Sequence, residues 1–373
     1  MINSLQIDKT NWRLTSLGEI VFEPKETSKD TISDWIKHVV GLEHIESGDI
    51  HLRRSAPIED ETTFTKRFSE GDVLFGRRRA YLKKAAQATF SGICSGDITV
   101  LRAKSSLVPS LLPFIILNDK FFDWAITHSA GGLSPRVKFK DLANYQLLLP
   151  PIEEQSRLAD LLWAIDEVVE SELNVLERLE KDDLSYLKHF FYDDKSSLRV
   201  KLKNIVSIKK GKQPPILLPT GDGLPYCNAK YLRTGEVESV VPEEAWSKSI
   251  KINEYDILIL WDGSNAGEML LGKEGFLAST MCKLEIKNVN YLKEFVFHFL
   301  RFKSKDIKRA TIGSAIPHVD TGMIENIEIP SLKLVDQEAI VDLFVSLKTN
   351  IELLNDKISN SKKLQKSLIN QIF

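Results

Sequence analysis

Three consecutive arginines are the residues of this chain that point most directly to a chemistry. Arg77, Arg78 and Arg79 follow a short apolar run, and Lys83 and Lys84 come soon after them. Guanidinium and ammonium groups suit contact with phosphates, and arginine can also bind guanine O6 and N7 through two hydrogen bonds. The cluster therefore predicts a surface that contacts DNA. The alternative is a solvated basic loop.

A second basic stretch runs from residue 195 to residue 212, where seven lysines and arginines occur without an acid. Lys209, Lys210 and Lys212 end this stretch and are its candidate DNA contacts, again with a solvated face as the alternative. The whole chain has a net charge of −2, so any attraction of a polyanion depends on such local surfaces.

No catalytic constellation accompanies these basic residues. The sequence lacks the glycine-rich phosphate loops, the HExxH zinc motif and the GxSxG nucleophile elbow. It also lacks the Asn/Asp-Pro-Pro-Tyr/Phe segment with which amino-methyltransferases hold a base. The histidines are isolated, and Cys94, Cys227 and Cys282 have neither disulfide nor zinc spacing. We therefore expect a non-catalytic protein that holds no metal or cofactor itself.

Targeting and membrane features are equally weak. The N-terminus lacks the basic-then-apolar layout of a secretion signal. The longest apolar stretch, residues 107–117, contains two prolines and is too short to span a membrane. We expect a cytoplasmic protein without a membrane partner.

The chain contains one segment twice. Residues 135–162 read PRVKFKDLANYQLLLPPIEEQSRLADLL, and residues 317–344 read PHVDTGMIENIEIPSLKLVDQEAIVDLF. The copies begin 182 positions apart and align without a gap, much further apart than the ~20–50 residues of a solenoid repeat. They indicate a duplicated half-molecule, which is typical of a protein whose partner also has two similar halves.

A glycine-containing loop precedes each repeated proline, at residues 129–134 and 312–316. Glycine allows a backbone to approach a ligand closely, so equivalent loops could touch equivalent halves of a partner. The alternative is a plain turn before a strand. The candidate contacts in and after these loops are Ser134, Arg136, Ser314 and His318.

Each copy of the segment continues into a long amphipathic helix. From residue 153 to about 191, and from 333 to 373, apolar residues recur at steps of three and four without a glycine or proline. The second helix follows the heptad spacing of a coiled coil. The first is strongly acidic and the second carries six lysines, which suits pairing between them. The alternative is an ordinary amphipathic helix on each domain.

The rest of the chain mixes short β-branched strands and turns with helical pieces at residues 111–127 and 292–303. We therefore predict an α+β fold: two mixed α/β domains separated by two long α-helices that pack as an antiparallel coiled coil. The expected domains are residues 1–152 and 196–332. The expected helical regions are residues 153–195 and 333–373.

Several segments of the chain resemble the target recognition domains of type I restriction–modification specificity subunits. They are Trp12, residues 17–20, 70–84, 92–97, 224–226 and 231–236. Residues 150–155 before the first long helix, and 330–337 before the second, are similar to that family's conserved-region boundaries. The resemblance covers essentially the whole chain. The second half departs from the pattern, since Ser331-Leu332 replaces Leu149-Pro150 and no tryptophan opens its recognition domain.

The resemblance implies a non-catalytic subunit in which each of two target recognition domains reads one part of a bipartite, asymmetric site in double-stranded DNA. The helices would set the spacing and dock two copies of a methyltransferase subunit, and a motor and endonuclease subunit would join them. S-adenosylmethionine, ATP and Mg would be held by those partners only. The resemblance also marks Lys230 and Arg233 as DNA contacts. The implied docking residues are Pro151, Glu154, Gln155, Asp336 and Gln337.

Two other classes of function stay open. One is an enzyme, namely the specificity half of a self-sufficient restriction–methylation protein with unrecognised catalytic residues, which would methylate DNA alone. The other is a helical scaffold whose end domains bind proteins, which would have no sequence-dependent affinity for DNA. The sequence also leaves open whether the helices pair within one chain or between chains.

Overall fold

The same set of small β-sheets occurs in each of two compact units of the chain. Unit 1 comprises Met1–Asn174 and Asn355–Phe373, and unit 2 comprises Val175–Leu354. The computed structural model describes residues 7–28, 35–58, 62–193, 198–313 and 316–373.

Unit 1 begins with ten short strands and four short helices. The strands are β1 (Arg13–Ser16), β2 (Val21–Phe22), β3 (His38–Val40), β4 (Ala56–Pro57), β5 (Lys66–Phe68), β6 (Val73–Gly76), β7 (Ala85–Gln87), β8 (Gly92–Cys94), β9 (Ile98–Ala103) and β10 (Gln146–Leu149). The helices are α1 (Leu17–Ile20), α2 (Leu112–Ile116), α3 (Asp119–Thr127) and α4 (Phe139–Leu142).

These strands form two four-stranded sheets and one strand pair. The order β2-β9-β6-β7 is antiparallel throughout, whereas β4-β3-β8-β5 contains one parallel pair, β3 with β8. The first and last strands, β1 and β10, pair antiparallel and so close the domain. Apolar residues of β6 and β9 are buried against α3, where the rings of Phe75 and Phe121 lie 5.5 Å apart.

The long helix α5 (Ile152–Lys188) follows, and unit 2 then repeats the mixture of strands and short helices. Its strands are β11 (Arg199–Lys201), β12 (Val206–Lys210), β13 (Leu224–Cys227), β14 (Val240–Val241), β15 (Lys251–Ile252), β16 (Ile257–Leu260), β17 (Met269–Leu271), β18 (Gly275–Leu277), β19 (Met281–Ile286) and β20 (Glu328–Pro330). Its short helices are α6 (Ala229–Thr234), α7 (Lys293–Arg309) and α8 (Thr321–Asn326), and the final helix is α9 (Leu334–Ile372).

The sheets of unit 2 repeat those of unit 1 strand for strand. Their orders are β12-β19-β16-β17, β14-β13-β18-β15 and β11-β20, so that every strand has a counterpart ten numbers lower. Even the parallel pair recurs, as β13 with β18. The duplication that the repeated segment indicates therefore extends over the described globular parts of both units.

Both predicted long helices are present, and they contribute to both units. Within unit 1 they run antiparallel, because Ser361 of α9 contacts Glu172 of α5 whereas Gln365 contacts Asp166. Within unit 2, Ile340 and Phe344 near the start of α9 share a buried core with Leu187 near the end of α5. The predicted fold class is confirmed. No helix in the described ranges is long and apolar enough to cross a membrane.

A buried glutamine fixes the start of each long helix. Gln155, which is 2% exposed, accepts a hydrogen bond from Val108 N at 2.8 Å and donates to the carbonyls of Ser106 and Pro150 at 3.3 and 3.0 Å. The fully buried Gln337 repeats this arrangement in unit 2. It accepts from Leu292 N at 2.9 Å and donates to the carbonyls of residues 290 and 332 at 2.8 and 2.9 Å.

We expect Gln155→Ala to destabilise unit 1 and Gln337→Ala to destabilise unit 2, each by about 1–3 kcal/mol, because a buried backbone N–H loses its acceptor. Hydrogen exchange should accelerate at the Val108 amide in the first variant and at the Leu292 amide in the second. Gln87→Ala, at a partly exposed position, is the matched control and should change stability by less than ~0.5 kcal/mol. Unaltered exchange at both amides would show that the two glutamines do not accept these backbone hydrogen bonds.

A polar cluster joins the globular part of unit 1 to both helices. His51 Nε2 lies 2.6 Å from Asp166 Oδ2 of α5, and Gln365 Nε2 of α9 donates to Asp166 Oδ1 at 3.0 Å. The carboxyl of Asp166 is buried. The hydrogen bond with Asp166 raises the pKa of His51, against the opposite effect of burial.

This contact makes part of the stability of unit 1 dependent on pH. Since the folded-state pKa of His51 lies above its unfolded value of ~6.5, the stabilisation is complete below that pH and is lost as the pH rises through the folded-state pKa. The difference in unfolding free energy between wild type and His51→Gln should be largest near about pH 5.5 and smallest near about pH 8.5 in urea titrations. A difference that grows with pH would refute this.

Candidate nucleic-acid interface

The repeated proline segment of unit 1 lies against the end of strand β6. Arg79 N donates to the carbonyl of Pro135 at 2.8 Å, and Val137 N donates to the carbonyl of Arg77 at 3.0 Å. Because both bonds are made by the backbone, they hold the arginines next to the proline segment whatever the side chains are.

Each unit also closes its glycine loop with a pair of backbone hydrogen bonds. Ala130 and Arg136 exchange two N–H···O bonds of 2.9 Å, and Ile312 and His318 exchange bonds of 2.9 and 2.8 Å. We call the five residues enclosed by each pair the tip loops, residues 131–135 in unit 1 and 313–317 in unit 2. The predicted contact Ser314 lies outside the described residues.

The side chains beside tip loop 1 form one hydrogen-bonded group, the arginine cluster, which consists of Arg78, Arg79, Ser134, Arg136 and Asp97. Arg78 and Arg136 donate to the two carboxylate oxygens of Asp97 at 3.1 and 2.8 Å. Ser134 Oγ accepts from Arg78 at 3.1 Å and from Arg79 at 3.4 Å. Four of the sequence-predicted contacts are therefore brought together.

The electrostatics of the arginine cluster favour an anion. Burial acts to raise the pKa of the Asp97 carboxyl, but hydrogen bonds from Arg136 and Arg78 bring it below its ordinary value, so the acid is charged at neutral pH. Three guanidinium groups against one carboxylate leave an excess of positive charge. Arg79 and Arg136 are exposed, and Arg78 is half-buried. The arrangement can bind phosphate or present guanidinium donors to base edges.

Unit 2 builds the same backbone frame with other side chains. Gly263 N donates to the carbonyl of Pro317 at 2.9 Å, and Val319 N donates to the carbonyl of Trp261 at 2.9 Å. By these bonds, residues 261–263 take the place of Arg77-Arg78-Arg79. An acidic residue, Asp262, therefore stands where unit 1 has Arg78.

Two lysines of strand β12 form ion pairs in this part of unit 2. Lys210 Nζ lies 3.0 Å from Asp262, and Lys209 Nζ lies 2.6 Å from Glu285. Lys212 is exposed just beyond the strand. His318 forms an isolated backbone bridge with Asp262, and its side chain is exposed. At this position unit 2 therefore has a carboxylate paired with Lys210, where unit 1 has the guanidinium of Arg78 paired with Asp97.

The other predicted DNA contacts of unit 1 lie apart from the arginine cluster. Lys83 Nζ is 2.7 Å from Asp119 of α3, and Lys84 Nζ donates to the carbonyl of Leu42 at 2.7 Å. Burial acts to raise the pKa of Asp119, but hydrogen bonds from Lys83 and two further side chains lower it to about 2. Arg77, Lys83 and Lys84 are all half-buried, so their charges are less accessible than those of Arg79 and Arg136.

Lys230 and Arg233, the contacts predicted in unit 2 from the resemblance, lie on α6. Lys230 Nζ is 2.7 Å from Glu238, and Arg233 pairs with Glu268. Each positive charge is matched by an acid, so this face attracts an anion less strongly than the arginine cluster does.

The predicted docking residues differ in accessibility. Pro151 and Asp336 are exposed, and Glu154 is half-buried and accepts a hydrogen bond from Trp12 Nε1 at 3.1 Å. Gln155 and Gln337 are buried, and their amides bind the backbone of their own unit. Their docking role stays a prediction, and any contribution of these two side chains would act by positioning the helix.

Sequence reasoning did not identify Asp97 and Asp262 as parts of the candidate interface. Their roles follow only from the strand pairing.

The three cysteines are buried, which raises the pKa of each thiol to about 12 and keeps it protonated. In the described parts of the chain, His, Cys, Asp and Glu side chains form no group of three or more that could hold a metal.

The chain matches known proteins along nearly its whole length. The family model of the type I restriction modification DNA specificity domain matches residues 11–181 and again 197–361. The MjaVIII specificity subunit of Methanocaldococcus jannaschii is 38% identical over 47% of this chain and 41% of its own length. The EcoDI specificity subunit of Escherichia coli is 31% identical over 31% of this chain and 27% of its own length. The chain therefore aligns with less than half of each of these relatives.

Solved structures share the fold over complete chains. The S subunit of the type I restriction–modification system of M. genitalium has a TM-score of 0.61 at 16% identity, covering 100% of this chain and 99% of its own. A chain from a study of complex assembly in the type I system has a TM-score of 0.62 at 20% identity, covering 97% and 96%. Because the family model matches most of the chain, the protein belongs to the type I restriction–modification DNA specificity family and carries two copies of its domain.

Proposed function

We propose that this chain is the non-catalytic specificity subunit of a type I restriction–modification system and reads a bipartite, asymmetric site in double-stranded DNA. The observation that carries the proposal is the repeated backbone frame with unlike side chains. Arg78 of the arginine cluster in unit 1 and Asp262, paired with Lys210, in unit 2 occupy equivalent positions on this frame. Two domains with the same backbone frame but different contact side chains suit a DNA site whose two halves differ.

Within this proposal, the arginine cluster contacts one half-site and Lys209, Lys210, Lys212 and His318 contact the other. Phosphate contacts would position each domain, and donors such as Arg78 would read base edges in the major groove. Lys83, Lys84, Lys230 and Arg233 would add weaker electrostatic attraction, because acids or carbonyls already engage them.

The partners would be two methyltransferase subunits and a motor and endonuclease subunit, in the cytoplasm where cellular DNA is accessible. Pro151 and Asp336 are exposed at the starts of two long helices that Gln155 and Gln337 anchor in the same way, which suits docking of two identical subunits. S-adenosylmethionine, ATP and Mg would be bound by those partners. Purified alone, the chain should neither bind S-adenosylmethionine nor methylate DNA.

Salt dependence of binding tests the DNA surface. In the complex reconstituted with its methyltransferase subunit, each lost phosphate contact should reduce the slope of log affinity against log salt by about 0.9. The Arg78→Ala/Arg79→Ala/Arg136→Ala variant should therefore lose two to three units of slope if these arginines contact phosphates. Lys251→Ala, which removes one charge from strand β15, is the control and should leave the slope unchanged. An unchanged slope in the triple variant would remove the cluster from the DNA surface.

The long helices also predict the gap between half-sites. Inserting one heptad after Asn174 and another after Leu354, where the units divide, lengthens both helices by about 10.5 Å and preserves the heptad register. At ~3.4 Å per base pair the unread gap should grow by about three base pairs. Sequencing of methylated sites in cells measures the gap. An active variant with the original gap would show that the helices do not set the spacing.

A further inference from the structure

Leu133 is an apolar side chain at the middle of tip loop 1, and it is 98% exposed. Single exposed apolar residues are common on protein surfaces, so its exposure alone indicates nothing. Its surroundings are unusual, however. Ser134 within the loop and Arg136 directly after it belong to the arginine cluster, which has an excess of positive charge. An apolar tip is thus set inside a surface that suits a polyanion.

The shape of tip loop 1 suits entry into a groove. The loop is closed at its base by the paired backbones of Ala130 and Arg136, so its two ends lie side by side. Gly131 has φ +119°, a conformation that favours glycine, and Gly132 adds no side chain to the width. The major groove of B-DNA is ~12 Å wide and admits a two-stranded β-ribbon. Leu133, at the middle of the loop, would be the side chain that enters the groove first.

On base edges in the major groove, the apolar group is the 5-methyl of thymine. We propose that Leu133 packs against the methyl group of a thymine and thereby selects an A·T pair in the half-site read by unit 1. The inference rests on the proposed function, because it requires that the arginine cluster face DNA. Arginines of the cluster that contact phosphates would position the domain, and Leu133 would add sequence selectivity that phosphate contacts lack.

Unit 2 also exposes an apolar side chain between its two bridged residues, Ile312 and His318. Ile316, within tip loop 2, is 67% exposed and directly precedes Pro317. The neighbouring polar groups there are His318 and Asp262 rather than arginines. An exposed apolar side chain therefore lies just before the repeated proline segment in both units, beside different polar groups.

Deoxyuridine scanning tests the contact, since deoxyuridine differs from thymidine only by the missing methyl group. The probe is a duplex selected from random DNA by the reconstituted complex, with each thymine of its recognised bases replaced in turn. In wild type, one replacement on the unit 1 side should lower affinity about fourfold, the effect of one buried methyl. In Leu133→Ala the same replacement should have no effect. The salt slope should be unchanged, because no phosphate contact is lost.

Val289→Ala is the matched control, because Val289 is 88% exposed and lies outside both tip loops. It should keep the fourfold sensitivity of wild type. A Leu133→Ala profile identical to that of wild type would overturn the proposal while leaving the DNA-reading function intact. Weaker assembly of Leu133→Ala with the methyltransferase subunit, at unchanged base preference, would also overturn it and would assign the side chain to a protein contact. Wild-type complex that selected no sequence would overturn the proposed function itself.

Discussion

Two backbone hydrogen bonds in each unit hold the repeated proline segment against the end of a buried strand, and the candidate DNA surface depends on them. In unit 1 they join Arg79 to Pro135 and Val137 to Arg77. Since only backbone atoms take part, the side chains at these positions can change without loss of the frame. The buried Gln155 and Gln337 serve the same purpose at the helix starts, where side-chain amides bind backbone groups in both units. A fixed frame thus coexists with variable contact residues.

The two units carry side chains of opposite charge on this shared backbone frame. Arg78 and Asp262 stand at equivalent positions and carry opposite charges, and each is paired with groups of the other sign. A guanidinium donates hydrogen bonds and a carboxylate accepts them, so the two positions would favour different base edges. The charge difference therefore supports an asymmetric site more directly than the sequence duplication does, because duplication alone would suit a palindrome equally well.

Much of the architecture could be predicted from the sequence, whereas the contacts of the candidate interface could not. Uninterrupted apolar periodicity correctly predicts α5 and α9, because helix length depends on local pattern. The helix expected over residues 111–127 is divided in two, since the Asn118 side chain caps α3 by accepting from Lys120 N at 2.8 Å. The equivalence of Arg78 and Asp262 could not be read from the repeat. These residues are 184 positions apart whereas the prolines are 182 apart, so the gap-free alignment pairs Arg78 with the buried Leu260. Only strand pairing reveals the correct match.

We propose that this chain alone dictates which DNA sequence its partners modify. Sequencing of methylated bases in cells that express the methyltransferase subunit, with and without this chain, measures this dependence. Methylation is expected only when the chain is present, and at a single two-part sequence whose halves differ. Methylation at the same sequence in cells that lack the chain would show that the chain does not select it.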